Sequence, residues 1–319
     1  MNERETLLSI IVPTFNEEKG IGDVVGAIQA LELPQTEILV IDDGSTDETA
    51  HMASAAGARV ISHPYNIGNG AAVKTGIRSA RGRVVVFLDG DGQHDPRDIP
   101  RLLTFIPQYH MVVGARQKGS QTSKHRDAAN WVYNRFASFL ASFTIEDLTS
   151  GFRAMRRQDA LRFCDMFPNR FSYPTTSTLA FIRSGRSVRY VPITTRARSG
   201  MSKIRLLHDG VEFFVIIVKI AMMYSPLRVF LPVSSFLFFL GLARYAYTYL
   251  TEHTFTNMAH LLINSSVIVF LLGLIAEQIA SLRLERGDKL FEAEDSRQYA
   301  PFVDFGGKGS DSAGLFTEH

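Results

Sequence analysis

Three short polar clusters hold the residues best suited to chemistry. Asp89-Gly90-Asp91-Gly92-Gln93-His94 places two carboxylates at Asp-x-Asp spacing beside an amide and an imidazole. Asp42-Asp43-Gly44-Ser45-Thr46-Asp47 supplies a second acidic group, and Pro13-Thr14-Phe15-Asn16-Glu17-Glu18 a third. Oxygen donors on a turn that leaves coordination positions open suit a hard divalent cation that also takes phosphate oxygens. A cation held there neutralises charge that builds on a departing diphosphate. Asp and Gly also make turns without any chemistry. Recurrence favours the chemical reading, because each cluster follows directly on an apolar run.

Such clusters converge only if the runs before them end side by side. Residues 8–12, 37–41, 59–62, 84–88, 111–114 and 188–193 read as strands, β-branched and bounded by Gly, Pro, Asp or Asn. Helices are expected over 17–31 behind Asn16 as a cap, over 46–56 with Gly57 as the stop, and over 71–80 and 98–105. Alternation of this kind predicts an α/β domain with a mostly parallel sheet. Ligands of such sheets bind at the carboxyl ends of the strands, where all three clusters lie.

The chain has 319 residues, of which 45% are apolar, so a disordered chain is excluded. A net charge of +2 gives no support to nucleic-acid binding, and the lone cysteine, Cys164, excludes an intrachain disulfide framework. Residues 1–6 are polar and read as no secretory leader. The apolar content is uneven. Runs at 227–250 and 261–280 each reach the roughly 20 residues of a membrane span. The connection 251–260 carries no Lys or Arg, whereas Lys203, Arg205, Lys219, Arg228, Arg283 and Arg286 flank the other side. That asymmetry puts the N-terminal domain and the tail in the cytoplasm. Arg244, inside the first span, must snorkel outward or pair with Glu277 or a neighbouring subunit. Over 211–223, Glu212 and Lys219 share one helical face, and Val211, Phe214, Val215, Val218 and Met222 form the other, which suits an interfacial helix. From about Gly287 the tail turns polar and is expected to be disordered. The resulting divisions are 1–202, 203–226, 227–283 and 284–319.

The segments from Ile11 to Glu18, Val40 to Asp47 and Phe87 to His94 resemble family 2 glycosyltransferases of the GT-A fold. Val112-Val113-Gly114-Ala115-Arg116, Asp147-Leu148-Thr149-Ser150-Gly151-Phe152-Arg153 and Gly200-Met201-Ser202-Lys203 narrow the resemblance to the polyprenyl-phosphate branch. That branch includes dolichyl-phosphate mannose synthase and bacterial undecaprenyl-phosphate glycosyltransferases. The resemblance implies a Rossmann-like, mostly parallel GT-A catalytic domain, then an interfacial amphipathic helix and two transmembrane helices. It implies inverting transfer of a sugar from a UDP- or GDP-sugar to undecaprenyl or dolichyl phosphate on the cytoplasmic face, in a bacterial inner membrane. By the same resemblance Pro13, Phe15, Glu17 and Asp43 line the base and ribose. Asp89 and Asp91 face the donor, with Asp91 and Gln93 at Mg²⁺ or Mn²⁺. Arg116, Arg198, Ser202 and Lys203 hold phosphates of donor or lipid, with Arg196 an alternative to Arg198. Asp147 is either a general base or a positioning group, since an acceptor phosphate is already largely anionic at neutral pH. The implied partners are a nucleotide-sugar, polyprenyl phosphate, membrane lipid and a second copy through the transmembrane helices.

Two other readings share these motifs. A processive polysaccharide synthase should add spans and a Gln-x-x-Arg-Trp element, and the only tryptophan, Trp131, follows Ala129-Asn130. A scaffold that binds nucleotide-sugar without turnover is opposed by the intact Asp89, Asp91 and Gln93. Gly68-Asn69-Gly70 reads as a tight turn, not a dinucleotide fingerprint. Trp131, Tyr133 and Phe136 read as a buried or membrane-facing helix side, and His94 as either a metal neighbour or a solvated loop residue. His51, His63 and His125 have no partner at ligand spacing, and the sugar stays open.

Overall fold

Leu8–Thr14 (β1) is buried along its whole length, as a strand covered on both faces must be. Its alternate residues feed two separate cores. Ile11 joins Leu39, Ile41, Val85, Phe87 and Val113 on one face, while Ile10 and Val12 join Val40, Val86, Leu88 and Val112 on the other. The other strands are Thr36–Asp42 (β2), Arg59–Ser62 (β3), Val84–Phe87 (β4), Met111–Arg116 (β5), Arg153–Arg156 (β6) and Val188–Ile193 (β7). The order across the sheet is β3-β2-β1-β4-β6-β5-β7. Every neighbour pair is parallel except the two made by β6. The chain winds outward from β1 to β3, then resumes on the other side at β4, so the β1/β4 boundary is the switch point where ligands bind.

This computed structural model describes residues 7–116, 131, 134–135, 137–139, 141–169, 173–195, 218, 221–222, 225–254 and 256–295. Helices Ile21–Gln29 (α1), Thr49–Ala55 (α2), Asn69–Ser79 (α3) and Ile99–Leu103 (α4) follow successive strands. Arg157–Cys164 (α5) and Tyr173–Arg183 (α6) complete the domain. Two long helices, Pro226–Glu252 (α7) and Asn257–Asp295 (α8), then pack on each other as a hairpin. Their apolar spans, Pro226–Thr251 and Asn257–Leu282, have mean hydropathies of 1.7 and 2.1. Phe236 is 66% and Leu250 78% exposed, unlike the core helix of a soluble domain, and both helices are long and apolar enough to cross a membrane.

The α/β sheet expected from sequence is present, and several details differ. Strand β6 had no signal, because Arg-Ala-Met-Arg lacks an apolar run; it survives in the sheet because Arg153 is hydrogen-bonded inside. Helices α5 and α6 were also not anticipated. Helix α1 starts after Gly20, not at Asn16. Asn16 instead takes a left-handed conformation (φ 55°) and accepts a hydrogen bond from the Thr46 amide. Helix α2 starts at Thr49, three residues later than read, and stops at Gly57, whose φ of 90° suits glycine. The second apolar helix runs on to Asp295, past the Gly287 boundary set for a disordered tail. Gly68 (φ 123°) and Gly70, where a Cβ would lie 1.9 Å from the Pro168 carbonyl oxygen, make a tight turn against the 168–169 segment. The interfacial helix placed over 211–223 lies outside the described residues apart from Val218, Ala221 and Met222.

Candidate active site

The loops after β1 and β2 are laced into one wall. The Asn16 amide donates to Ser45 Oγ at 2.9 Å, and the Glu17 amide to Thr49 Oγ1 at 2.8 Å. The Glu18 amide reaches Asp47 Oδ2 at 3.3 Å. Burial alone would raise the Asp47 pKa, but bonds from Thr49 and the Glu18 amide hold it below the ordinary value. Above this wall Phe15 is 42% exposed at the end of β1, a free aromatic face beside the switch point. Pro13 is buried under it and Glu17 is half-buried.

The two acidic turns behave differently. Asp43 is only 3% exposed. Its carboxylate accepts the Ile67 amide at 3.0 Å and the Gly68 amide at 2.8 Å, and lies 2.7 Å from His63 Nδ1. It holds the 63–68 loop at the end of β2, where the base and ribose contact was expected of it. His63 likewise has partners, Asp43 and Thr75. Asp89, directly beyond β4, is half-buried at the cleft edge. Burial pushes its pKa up, Asp91 adds to that push, and His94 opposes it. Gly151 makes the room: a Cβ there would sit 2.8 Å from Asp89 Oδ2. Asp91 Oδ1 accepts the Gln93 amide at 3.1 Å, which fixes the turn.

Among the described residues no three His, Cys, Asp or Glu side chains form a closed cage. The Asp89, Asp91 and Gln93 set is open and offers oxygen donors, and a half-buried Asp89 with a second carboxylate beside it is a site a divalent cation fits. His94 is not a solvated loop residue. It is buried, stacked 5.3 Å from the Phe152 ring, with Nδ1 3.7 Å from Asp89 Oδ2 and no hydrogen-bond partner. Thr14 Oγ1 is a second buried polar atom without a partner, close against Gly90. Sequence reading left His94 open between a metal neighbour and a solvated loop residue and gave Thr14 no role; the signal for Thr14 was its position at the end of β1.

Arg116, the last residue of β5, meets Asp147 in a two-pronged pair: Nε to Oδ2 at 2.8 Å and Nη2 to Oδ1 at 2.9 Å. The Arg116, Thr149 and Ser150 amides also donate to this carboxylate, each at 3.1 Å. Thr149 Oγ1 accepts a further bond from Arg116 at 2.5 Å. Burial would raise the Asp147 pKa, but the Arg116 bonds and charge outweigh it and hold the group below the ordinary carboxylate value. A carboxylate so occupied fixes a guanidinium. It has little basicity left to take a proton. Beneath it Arg153 is fully buried and donates to Pro174 O, Ser177 Oγ, Thr178 Oγ1 and Ser150 O. Arg196, Arg198, Ser202 and Lys203 lie outside the described residues.

At the foot of the hairpin Glu277 Oε2 accepts the Leu227 amide at 3.1 Å, and its Oε1 lies 3.6 Å from Arg183. Glu277 is therefore not the partner of Arg244, whose guanidinium lies 5.7 Å from the Tyr247 ring centre. Arg228 donates to the Phe139 carbonyl at 2.9 Å.

Comparison with known proteins matches the Glycosyl transferase family 2 pattern to residues 9–162 and the GtrB C-terminal hairpin to residues 225–282. Over 304 residues the chain is 30% identical to Glycosyltransferase AglJ of Haloferax volcanii, covering 89% of this chain and 97% of that one. The chain belongs to glycosyl transferase family 2. It is also 33% identical over 221 residues to a Dolichyl-phosphate hexose transferase of the same organism, covering 67% of this chain and 94% of the relative. An Undecaprenyl-phosphate mannosyltransferase of Micrococcus luteus is 29% identical, with 61% and 86% covered. Among solved structures, glucosyl-3-phosphoglycerate synthase from Mycobacterium tuberculosis in complex with Mn²⁺, uridine diphosphate and glucosyl-3-phosphoglycerate aligns with a TM-score of 0.57. It shares 22% identity over 68% of this chain and 80% of that one, which shows the shared GT-A fold. The protein is thus a family 2 glycosyltransferase whose GT-A domain precedes a two-helix hairpin.

Proposed function

We propose that this glycosyltransferase moves a sugar, with inversion, from a nucleoside diphosphate sugar to polyprenyl phosphate at the cytoplasmic membrane face. The observation that carries the reading is the direct bonding of a diphosphate-ready cleft to a membrane hairpin through Glu277, Arg183 and Arg228. A catalytic domain tied to such a hairpin suits an acceptor confined to the bilayer, and the related chains named for dolichyl and undecaprenyl phosphate support that choice. The absence of Lys and Arg from the 251–260 connection supports the cytoplasmic side.

In this reading Phe15 offers its face to the nucleotide base. Asp89, Asp91 and Gln93 would hold Mg²⁺ or Mn²⁺, which when bound neutralises the leaving diphosphate. Asp147 holds the Arg116 fork rigid, so the guanidinium is set for phosphate oxygens without losing side-chain freedom on binding. The acceptor phosphate attacks the anomeric carbon opposite the departing diphosphate, and no side chain need remove a proton. Lys203 and Ser202 are proposed as further phosphate contacts, with Arg198.

Incubating the full chain in lipid nanodiscs with polyprenyl phosphate and a panel of UDP- and GDP-sugars tests the reading. The expected product is a polyprenyl monophosphate sugar, detected by mass spectrometry. Sugar transfer only to soluble acceptors, or hydrolysis alone, would remove polyprenyl phosphate as acceptor.

A further inference from the structure

Helix α6 runs between the cleft and the membrane hairpin. At its start Tyr173 donates through its hydroxyl to the Gly151 carbonyl at 3.0 Å, and Gly151 is the residue that leaves room for Asp89. Arg153 staples the same end, donating to Pro174 O at 2.9 Å and Ser177 Oγ at 2.6 Å while also reaching Ser150 O. Ten residues later, about 15 Å along the axis, the helix ends at Arg183 against Glu277. Most residues of α6 are buried, from Tyr173 to Phe181, so it cannot shift without disturbing the core. Glu277 belongs to α8 and also caps the first turn of α7 through the Leu227 amide. One carboxylate thus joins both hairpin helices to the far end of α6.

A second path runs parallel to it. Arg228 donates to the Phe139 carbonyl. From the same segment Asn134 donates to the Glu146 carbonyl at 2.6 Å and accepts the Leu148 amide at 3.1 Å, bracketing Asp147. Both paths end on groups that shape the cleft, one on the Asp89 side and the other on the Arg116 side.

We propose that α6 is a strut and Glu277 its pin: Glu277 is a positioning residue that sets the donor cleft at a fixed attitude to the bilayer, so that a membrane-held acceptor phosphate meets it in register. Glu277 does not touch either substrate. Its effect on kinetics rests on the polyprenyl-phosphate reading, while its effect on geometry does not.

The test uses the full chain in nanodiscs with a Cys164→Ser background. Spin labels at Gln158→Cys, on α5, and Leu282→Cys, at the hairpin end, report the domain-to-hairpin distance. Glu277→Gln removes the ion pair and keeps an oxygen for the Leu227 amide, so the fold should persist. The distance distribution should be narrow in the parent and broad in Glu277→Gln. The KM for polyprenyl phosphate should rise about three- to fivefold. The donor KM and turnover of a short-chain, water-soluble acceptor should stay unchanged. Glu277→Asp, which keeps the charge, should recover part of both losses. An unchanged distance distribution would overturn the strut. So would a uniform fall in turnover with all acceptors that tracks a lowered melting temperature, because that is a merely structural role. If the parent transfers no sugar to polyprenyl phosphate but Glu277→Gln still broadens the distances, the acceptor assignment fails and the pin stands.

Discussion

The turns after β2 and β4 look alike on paper, each an aspartate pair followed by glycine and polar residues. In the folded protein they do opposite things. Asp42 accepts the Ser45 amide, and Asp43 is taken up by Ile67, Gly68 and His63, so this pair is committed to holding loops. Asp89 stays at the cleft edge against Asp91, with its proton affinity raised. A carboxylate saturated by the protein stabilises a fold, whereas one left short of partners is poised for a ligand. The difference lies in what surrounds each pair, and that is decided by distant loops.

Four substitutions sharpen or break this contrast. The largest effect is expected from Asp91→Ala: turnover should fall about a hundredfold or more, with no loss of thermal stability. Chelation should mimic it, and Mn²⁺ or Mg²⁺ should restore the parent. Full activity in chelator would remove the metal role.

Asp43→Ala should do the reverse. It leaves two amides and an imidazole unsatisfied, costing about 2–4 kcal/mol in denaturant unfolding. Turnover per folded molecule should change less than about threefold. A large loss of donor affinity with unchanged stability would make Asp43 a nucleotide contact first and a loop anchor second.

Asp89→Asn should lower turnover by less than Asp91→Ala does, about tenfold, yet raise the melting temperature of the metal-free protein by a few degrees. The sign follows from its raised folded pKa: the folded state binds the extra proton, so stability falls as pH climbs from the ordinary 3.8 through the folded value. The Asn variant should show a flat profile across that window. Equal pH profiles would mean that neither burial nor Asp91 raises the proton affinity of Asp89.

The smallest effect concerns Asp147. Its folded pKa is depressed, so its stabilising contribution is complete above 3.8 and is lost as pH falls through the lower folded value. Kinetics between pH 5 and 8 should therefore show no limb from this group. Asp147→Asn should raise the acceptor KM by about tenfold while kcat changes little. An ionisation near neutrality that vanishes in Asp147→Asn would make it a base after all.

How much of this was legible in the sequence depended on how local the signal was. Strands such as β3 and β7 were readable to the residue because their β-branched residues stand in short segments bounded by polar, Gly or Pro turns. The hairpin was readable because each helix is a single apolar run long enough to cross a membrane. Strand β6 was not, because its claim to the sheet rests on Arg153 finding acceptors in distant segments, at Pro174, Ser177 and Thr178. In the site, the Asp-x-Asp pair could be singled out by type and spacing. The commitment of Asp43 to the 63–68 loop, the burial of His94 and the pairing of Glu277 with Arg183 instead of Arg244 all depend on contacts between distant segments.

Strand β6 has one more effect. It lies between β4, which delivers Asp89, and β5, which delivers Arg116, and it is the only antiparallel strand among those described. Were β4 and β5 neighbours, the guanidinium and the acidic pair would arrive one spacing apart and could neutralise each other. Inserting a return strand moves them about 9–10 Å apart across the sheet. Arg116 then satisfies itself on Asp147, and the opposite charges face each other across a gap instead of short-circuiting. The intervening strand is an insulator: it keeps the cleft electrically polarised while it waits for an anion wide enough to bridge the two sides.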